Sequence, residues 1–503
     1  MNILKINRRR AVGLLAGGTA AAALYEGVYA KLPIFKKVRV RENITTFAAN
    51  PTKLAALQKG VSVMKQRSTM NADDPTGWTY WASSHGTPNA VPPALVDIYN
   101  QCMHGSPYFY PWHRAFLYYF EEVLRSASGD ASLNLPYWNW YSNPSIPAAF
   151  TSPANSTNPL WHSPRTSNSV GTLSQTPFTR TNFKLPPYPG FSGDLEGDPH
   201  GSVHNDIGGD MGFIDRSAFD PIFWLHHCNV DRLWNVWINE GHSDPPGSDP
   251  WTNQQFVYNV SGTMKKTSGQ VLNTVTQLGY KYDEESSPLT GTYYHIPWNI
   301  ILSEIILAVP FTPPGPGPVE KAAMTMAANQ SGAVSVASTL AKPFALGTKS
   351  SAVKFQLSAA DNERVRAFAS GANSLQDVEL VLYGVEIAPE GREGGYSYKV
   401  CIAIPEGNVG QEVLDRQCVG QFGSFEISVA EEHARKMGLS QGGGVTLRFP
   451  LGEGIKGAGP RKLGEGVPVT FVARHAGRPA GRGDQTYVTV QSARLEFTGA
   501  SKG

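Results

Sequence analysis

The sequence predicts a two-part fold, a mainly α N-terminal domain with long loops followed by an all-β C-terminal sandwich. Three observations carry this. From about 38 to 285 the chain is rich in Trp, Tyr, Pro and His, with apolar residues at helical spacing between long polar loops. "PFTPPGPGP" at 310–318 can continue neither a helix nor a central strand. Beyond it, from about 346 to 500, seven short alternating runs stand between Gly-rich turns: "KFQLSA", "VELVLYGVEI", "YSYKVCIAI", "SFEISV", "VTLRFPL", "VPVTFVAR" and "TYVTVQSARLEF". The expected boundaries are 38–285 for the α domain, 286–345 for a linker and 346–500 for the sandwich.

The N-terminus reads as an export signal over 1–30. Arg8 to Arg10 precede a short Gly/Ala-rich run that ends near Ala30, a twin-arginine-type pattern implying a periplasmic or secreted protein. No membrane anchor is expected, because that run is short and polar sequence follows it. "WNIILSEIILAVP" (298–310) is also too short and carries Ser303 and Glu304. With 503 residues, 41% hydrophobic and 17% charged, the chain is long enough for two or three cored domains. A net charge of +2 excludes an electrostatic nucleic-acid partner. Nothing in the sequence sets an oligomeric state.

Within the α domain the histidines cluster. In "CMHGSPYFYPWHRAFLYYFEEVLR" (102–125), Pro111 lies near a helix start. With His113 at zero and about 100° per residue, Leu117, Phe120 and Leu124 fall within about 40° of it, so His113 is on the apolar stripe. His104, across Pro107 and Pro111, approaches from the preceding loop. "PHGSVHNDIGG" places His200 and His204 four apart, on one face if helical. In "AFDPIFWLHHCNVDRLWNVW", Asp220 caps a helix and Pro221 takes its first turn. Helical phase puts both His226 and His227 on the inward side and does not separate them.

A single buried histidine is most often an ordinary hydrogen-bonded core residue. Five or six grouped as two half-sites point instead to an all-imidazole metal site, which suits copper, zinc or iron and argues against magnesium, calcium or iron–sulfur clusters. Four cysteines make no disulfide framework in a chain this long. Cys401 and Cys418 can pair in an oxidising compartment, whereas Cys102 and Cys228 each lie within two residues of a histidine.

The motifs "CxHxxxxxxPWHRxFLxxFE" and "PHxxVHxDxG…DPIFWLHHxxVDRLWxxW", with "PYWNW" at 136–140, resemble the type-3 copper proteins: tyrosinases, catechol oxidases (polyphenol oxidases) and molluscan-type haemocyanins. The resemblance covers roughly 38–285. It implies a four-helix bundle holding two copper ions, with His85, His104 and His113 on the first and His200, His204 and His227 on the second. His226 and Asp231 then stand just outside the ligand set. It further implies a thioether between Cys102 and His104, a domain end at Tyr280 and Tyr282, and a C-terminal domain like that of latent polyphenol oxidases, which covers the site. No plugging residue stands out in the sequence.

The reaction so implied is oxidation of o-diphenols to o-quinones with O2 as co-substrate, extending to monophenols or o-aminophenols. The substrate is a small phenol, and a copper chaperone is a candidate partner. Glu196 matches a glutamate that helps take the phenolic proton. Gly201 stands where efficient tyrosinases often carry a water-orienting Asn, with Asn205 as a substitute. Ile214 stands where plant enzymes often place a Phe over the entrance, and Asn139 replaces the usual Asp of "PYWDW". A reversible O2 carrier would use the same histidines, but an export signal and a single catalytic domain favour an enzyme. A zinc hydrolase is disfavoured because no Glu lies inside the HxxxH.

Overall fold

The computed structural model describes residues 38–498 apart from 88–90, 184–189, 291–297, 301, 311–333, 373–374, 440–442 and 476–484. The expected export signal over 1–30 lies outside the described residues.

Helix α1 (Pro51–Met70) begins where Asn50 accepts from the amides of Thr52 and Lys53, with Pro51 in the first helical position. Helix α2 (Trp78–His85) ends on His85. Helix α3 (Phe109–Ser128) stops at Gly129, whose left-handed conformation (φ 72°) turns the chain away. A short α4 (Ser202–Ile207) follows an irregular turn that breaks at Asp198. Helix α5 (Ile222–Asn239) starts as expected, Asp220 accepting from the Ile222 amide directly after Pro221. Helices α2 to α5 converge on the histidines, and the ring of Phe120 on α3 stacks on Trp224 of α5.

The ends of this domain are tied together through Asp231. Strand β1 (Arg39–Arg41) pairs in parallel with β2 (Tyr280–Tyr282). The buried Asp231 carboxylate accepts from Arg41, Arg114, Tyr280 and Tyr282. Burial alone would raise its pKa, but Arg114, Arg41 and the two hydroxyls outweigh that and hold it below the usual value. The Asp231 carboxylate, one helical turn beyond His227, faces two buried arginines, of which Arg41 also pairs with Glu121.

The C-terminal domain contains β3 (Leu302–Pro310), β4 (Val334–Leu340), β5 (Phe344–Gly347), β6 (Ser350–Phe355), β7 (Asp377–Ile387), β8 (Tyr396–Ile402), β9 (Cys418–Gly423), β10 (Val445–Pro450), β11 (Val467–His475) and β12 (Thr486–Thr498). They run in the order β9-β8-β11-β6-β3-β4-β12-β7-β10, with β5 also on β12. Only β3 and β6 pair in parallel among these. The sheet folds over on itself, so residues of both halves share one core. Phe344 meets Phe471 at 5.9 Å between ring centroids, and Phe422 on one edge strand meets Phe449 on the other at 5.7 Å.

Three details differ from expectation. Strands β3, β4 and the start of β5 fall inside 286–345, so much of the expected linker belongs to the sheet. The domain is not all-β, since helices 359–369 and 452–458 pack on the sheet. "SFEISV" is not a strand but the start of helix α6 (Ser424–Lys436). Its alternation is overridden by Glu426 three residues after Gly423, a helix-start spacing, and by the helix formers of "AEEHARK". The Cys401–Cys418 disulfide is present, joining neighbouring strands β8 and β9. Among the described residues no helix is long and apolar enough to cross a membrane.

Candidate metal centre

Two buried sets of side chains lie side by side between the helices. The ligand-capable atoms of His85, Cys102, His104 and His113 lie within 4.8 Å of one another, and so do those of His200, His204, His226 and His227. The sets adjoin, since the His113 and His227 rings stack at 4.6 Å and those of His104 and His200 at 5.9 Å. His85 closes α2, His104 comes from the loop before α3, and His113 sits in the first turns of α3. His200 leaves the irregular turn, His204 lies on α4, and His226 and His227 lie on α5.

Hydrogen bonds decide which ring nitrogen is free. Nδ1 of His113 donates to the Phe109 carbonyl at 2.7 Å, that of His200 to Glu196 at 2.9 Å, and that of His204 to Met211 at 2.8 Å. His85 Nδ1 reaches the Ile214 carbonyl at 3.3 Å and Ser217 Oγ at 3.2 Å. A carbonyl only accepts, so each of these rings carries its proton on Nδ1 and leaves the Nε2 lone pair bare. His226 is the opposite case. Its Nδ1 lies 3.1 Å from Trp140 Nε1, an indole N–H that only donates, so the proton of the neutral ring is on Nε2. Of the adjacent pair, His227 is the one able to ligate through Nε2, which lies 3.4 Å from His204 Nε2.

These observations test the fit of a metal pair. Among the described residues the Nε2 atoms of His85, His104 and His200 are buried without a hydrogen-bond partner, as is that of His226, which carries the proton. Buried polar atoms rarely stay unsatisfied, and an imidazole lone pair on a metal ion resolves the deficit. Burial pushes all seven histidines well down, His200 to about 4, so the rings are neutral and ready to coordinate. In the metal-free chain burial pushes the Cys102 thiol up, so the free side chain is neutral. Its Sγ lies 3.3 Å from His104 Nδ1. Three imidazoles thus stand ready in each half, with Cys102 turned to the His104 ring in the first, and this donor set suits a type-3 copper pair.

The remaining sequence-selected residues fall close by. Glu196 is half-buried, one carboxylate oxygen accepting from the Gly105 amide and the other buried without a partner among the described residues. Burial, reinforced by Glu426 and opposed by that amide, pushes it up to about 8. Ile214 acts through its backbone, its carbonyl holding His85 and its amide donating to Ser428 Oγ at 3.0 Å. In "PYWNW" the orienting residue is Trp140, whereas Asn139 Oδ1 has no hydrogen-bond partner. Asn205 does not face the metal ligands with a free amide. Its Nδ2 donates to Glu426 at 2.7 Å and its Oδ1 accepts from the Phe425 amide at 3.0 Å, so its side chain serves the other domain.

That other domain covers the site. The first turn of α6 lays the Phe425 ring on His204, 3.9 Å between centroids and 9° between planes, and within 5.7 Å of the His104 and His200 rings. Around it, Gln421 bonds Ser202 and Gly197, Lys399 pairs with Asp198, Arg474 with Asp206, and Glu432 accepts from the Thr87 amide. None of these covering residues was singled out from the sequence. The helix-start spacing of Gly423 and Glu426 was the one signal that could have exposed Phe425 as a helix-tip residue.

Residues 75–190 and 155–240 match the family model described as the common central domain of tyrosinase. Tyrosinase HcTyr1 of Hahella sp. (strain CCB-MM4) is 30% identical over 312 residues, 51% of this chain and 65% of that protein. A chloroplastic polyphenol oxidase of Malus domestica is 27% identical over 314 residues, 51% of this chain and 50% of that protein. The matched segment thus spans between half and two thirds of these curated relatives. The whole fold is similar to that of latent apple tyrosinase (MdPPO1), with a TM-score of 0.52 at 21% identity, covering 93% of this chain and 99% of that one. Latent aurone synthase, a polyphenol oxidase, gives 0.50 at 18% identity over 94% and 92%.

Proposed function

Because the chain belongs to the type-3 copper proteins, with a C-terminal domain like that of latent polyphenol oxidases, we propose that it oxidises o-diphenols to o-quinones with O2 and that the β domain keeps it latent. The observation that carries this reading is the pairing of two neutral, buried imidazole triads with an aromatic side chain laid flat on one of them.

When bound, a copper pair supplies the two-electron redox step and the binding of O2. The chain's own residues supply the rest. Backbone carbonyls fix the tautomer and angle of four ligand rings. Phe109 and Phe223 wall the site, Phe109 at 4.4 Å from the His113 ring and Phe223 at 4.2 Å from His227, which keeps water out. The Phe425 ring marks where a planar phenol would lie, against His204. Glu196 is the carboxylate placed to take a phenolic proton once the cover is gone, because uncovering admits water and removes Glu426, both of which lower its pKa. Ortho-hydroxylation of monophenols would require Glu196 and Asn205 to be freed together, since the cover holds Asn205 through both polar atoms.

Cys102 Sγ beside the His104 ring supports the thioether. Forming it removes the thiol hydrogen and one ring C–H hydrogen, with O2 at the copper pair as oxidant. The Arg8–Arg10 pattern and the Cys401–Cys418 disulfide support export through a twin-arginine route to an oxidising compartment. A reversible O2 carrier finds no support in the relatives.

The test uses the copper-loaded full chain with a protease site engineered between 311 and 333. Catechol turnover should rise on cleavage, and tyrosine should remain a poorer substrate. No quinone from either phenol after cleavage, with copper bound, would sink the proposal.

A further inference from the structure

We infer that Gly201 is the seat of the cover: its missing side chain leaves the hole into which Glu426 of α6 must fit for Phe425 to reach the copper-ligand histidines. This rests on the latent reading above and adds the residue that makes a covered state compatible with this particular site.

The backbone at Gly201 does not call for glycine. Its φ and ψ are −62° and −32°, ordinary right-handed helix open to any residue. Space does call for it. A Cβ at 201 would lie closer to Glu426 Oε1 than the 3.0 Å that real Cβ atoms keep. Glu426 has little freedom to retreat, because its other oxygen accepts from Asn205 Nδ2 at 2.7 Å and from the Gly423 amide at 2.8 Å. The fit is reciprocal. A Cβ at Gly423 would lie 2.5 Å from Asn205 Oδ1, so each domain presents a glycine to the other's polar side chain. Between these two contacts lies the Phe425 amide, bonded to Asn205, and the Phe425 ring on His204.

It follows that a side chain at 201 competes with Glu426 for one space, and the cover seats there only if that carboxylate shifts against its bonds to Asn205 and Gly423. Any residue there that reaches over the second ligand set displaces Glu426 and, through the next residue, lifts Phe425 from His204. Gly201 thus determines that this chain can be closed by its own β domain.

The test compares Gly201→Ala, Gly197→Ala and Glu426→Ala, with the Gly201→Ala/Glu426→Ala double variant, all as full-length copper-loaded chains. Gly197 is the control for adding a methyl in the same turn, because a Cβ there meets nothing within 4 Å. Two quantities are read: hydrogen–deuterium exchange of the α6 amides, and catechol turnover of the uncut chain as a fraction of the cut chain. Overpacking by one methyl against a pinned carboxylate should raise α6 exchange and the uncut fraction by about tenfold in Gly201→Ala. Gly197→Ala should leave both unchanged, and Gly201→Ala should add nothing in the Glu426→Ala background. Unchanged α6 exchange in Gly201→Ala, or an equal effect of Gly201→Ala with and without Glu426, would overturn the inference. If exchange responds as expected while uncut and cut wild-type chains turn over catechol equally, Gly201 still seats the cover and the latency reading fails.

Discussion

Phe425 lies flat on His204, ring centroids 3.9 Å apart and planes 9° apart, although the two residues belong to different domains. On the function proposed above, the stack holds an aromatic ring in the space a phenol would take. An aromatic pair of this kind contributes about 0.5–1.5 kcal/mol beyond the area it buries. Phe425→Ala should therefore raise catechol turnover of the uncut chain by about tenfold, the ratio corresponding to ~1.4 kcal/mol in the opening equilibrium. Turnover of the cut chain should not change. An uncut variant as inactive as wild type would remove Phe425 as the plug.

The adjacent histidines of α5 have opposite tautomers, and copper content should separate them. His227→Ala should lose the second copper. His226→Ala should keep two coppers per chain, because Trp140 already occupies the Nδ1 of His226 and leaves the proton on Nε2. Metal analysis of the two variants after reconstitution decides this, and loss of copper from both would show that His226 ligates.

Asp231 holds Arg41 and Arg114 away from water. Asp231→Ala leaves the buried Arg114 without a carboxylate and Arg41 with Glu121 alone, and should cost about 3–5 kcal/mol in urea unfolding of the metal-free chain. Its folded pKa is depressed, so the contribution is fully present above the ordinary carboxylate value of about 3.9 and is lost only as pH falls through the lower folded value. The difference between wild type and variant should thus hold at about pH 5 and shrink in stronger acid.

Cys102 and His104 should be joined after copper loading in air. The peptide carrying both should be two hydrogens lighter than the unlinked sum and should resist thiol alkylation. Full alkylation of Cys102 in unfolded, copper-treated chain would contradict the thioether.

Most of the candidate ligand histidines were legible from local evidence, whereas His85 came only with the family resemblance. Proline punctuation and apolar phase place His113, the HxxxH spacing pairs His200 with His204, and Asp220 with Pro221 starts α5 where expected. Residues whose role depends on a distant partner were not legible. Nothing local to Asp231 announces Arg41, 190 residues away, as its partner. His226 and His227 were inseparable by helical phase, and only Trp140 distinguishes them. The cover was least legible. "SFEISV" alternates like a strand, and nothing local says that Phe425 meets His204 across 221 positions or that Glu426 needs a glycine at 201.

The central claim is a copper pair that oxidises catechols and does not merely bind O2. The most direct measurement is O2 consumption alongside quinone formation by the copper-loaded, cleaved chain given excess catechol. Sustained turnover with one O2 consumed for every two catechols oxidised is the expected result. O2 taken up once per copper pair, released on lowering its pressure and accompanied by no quinone, would contradict the account.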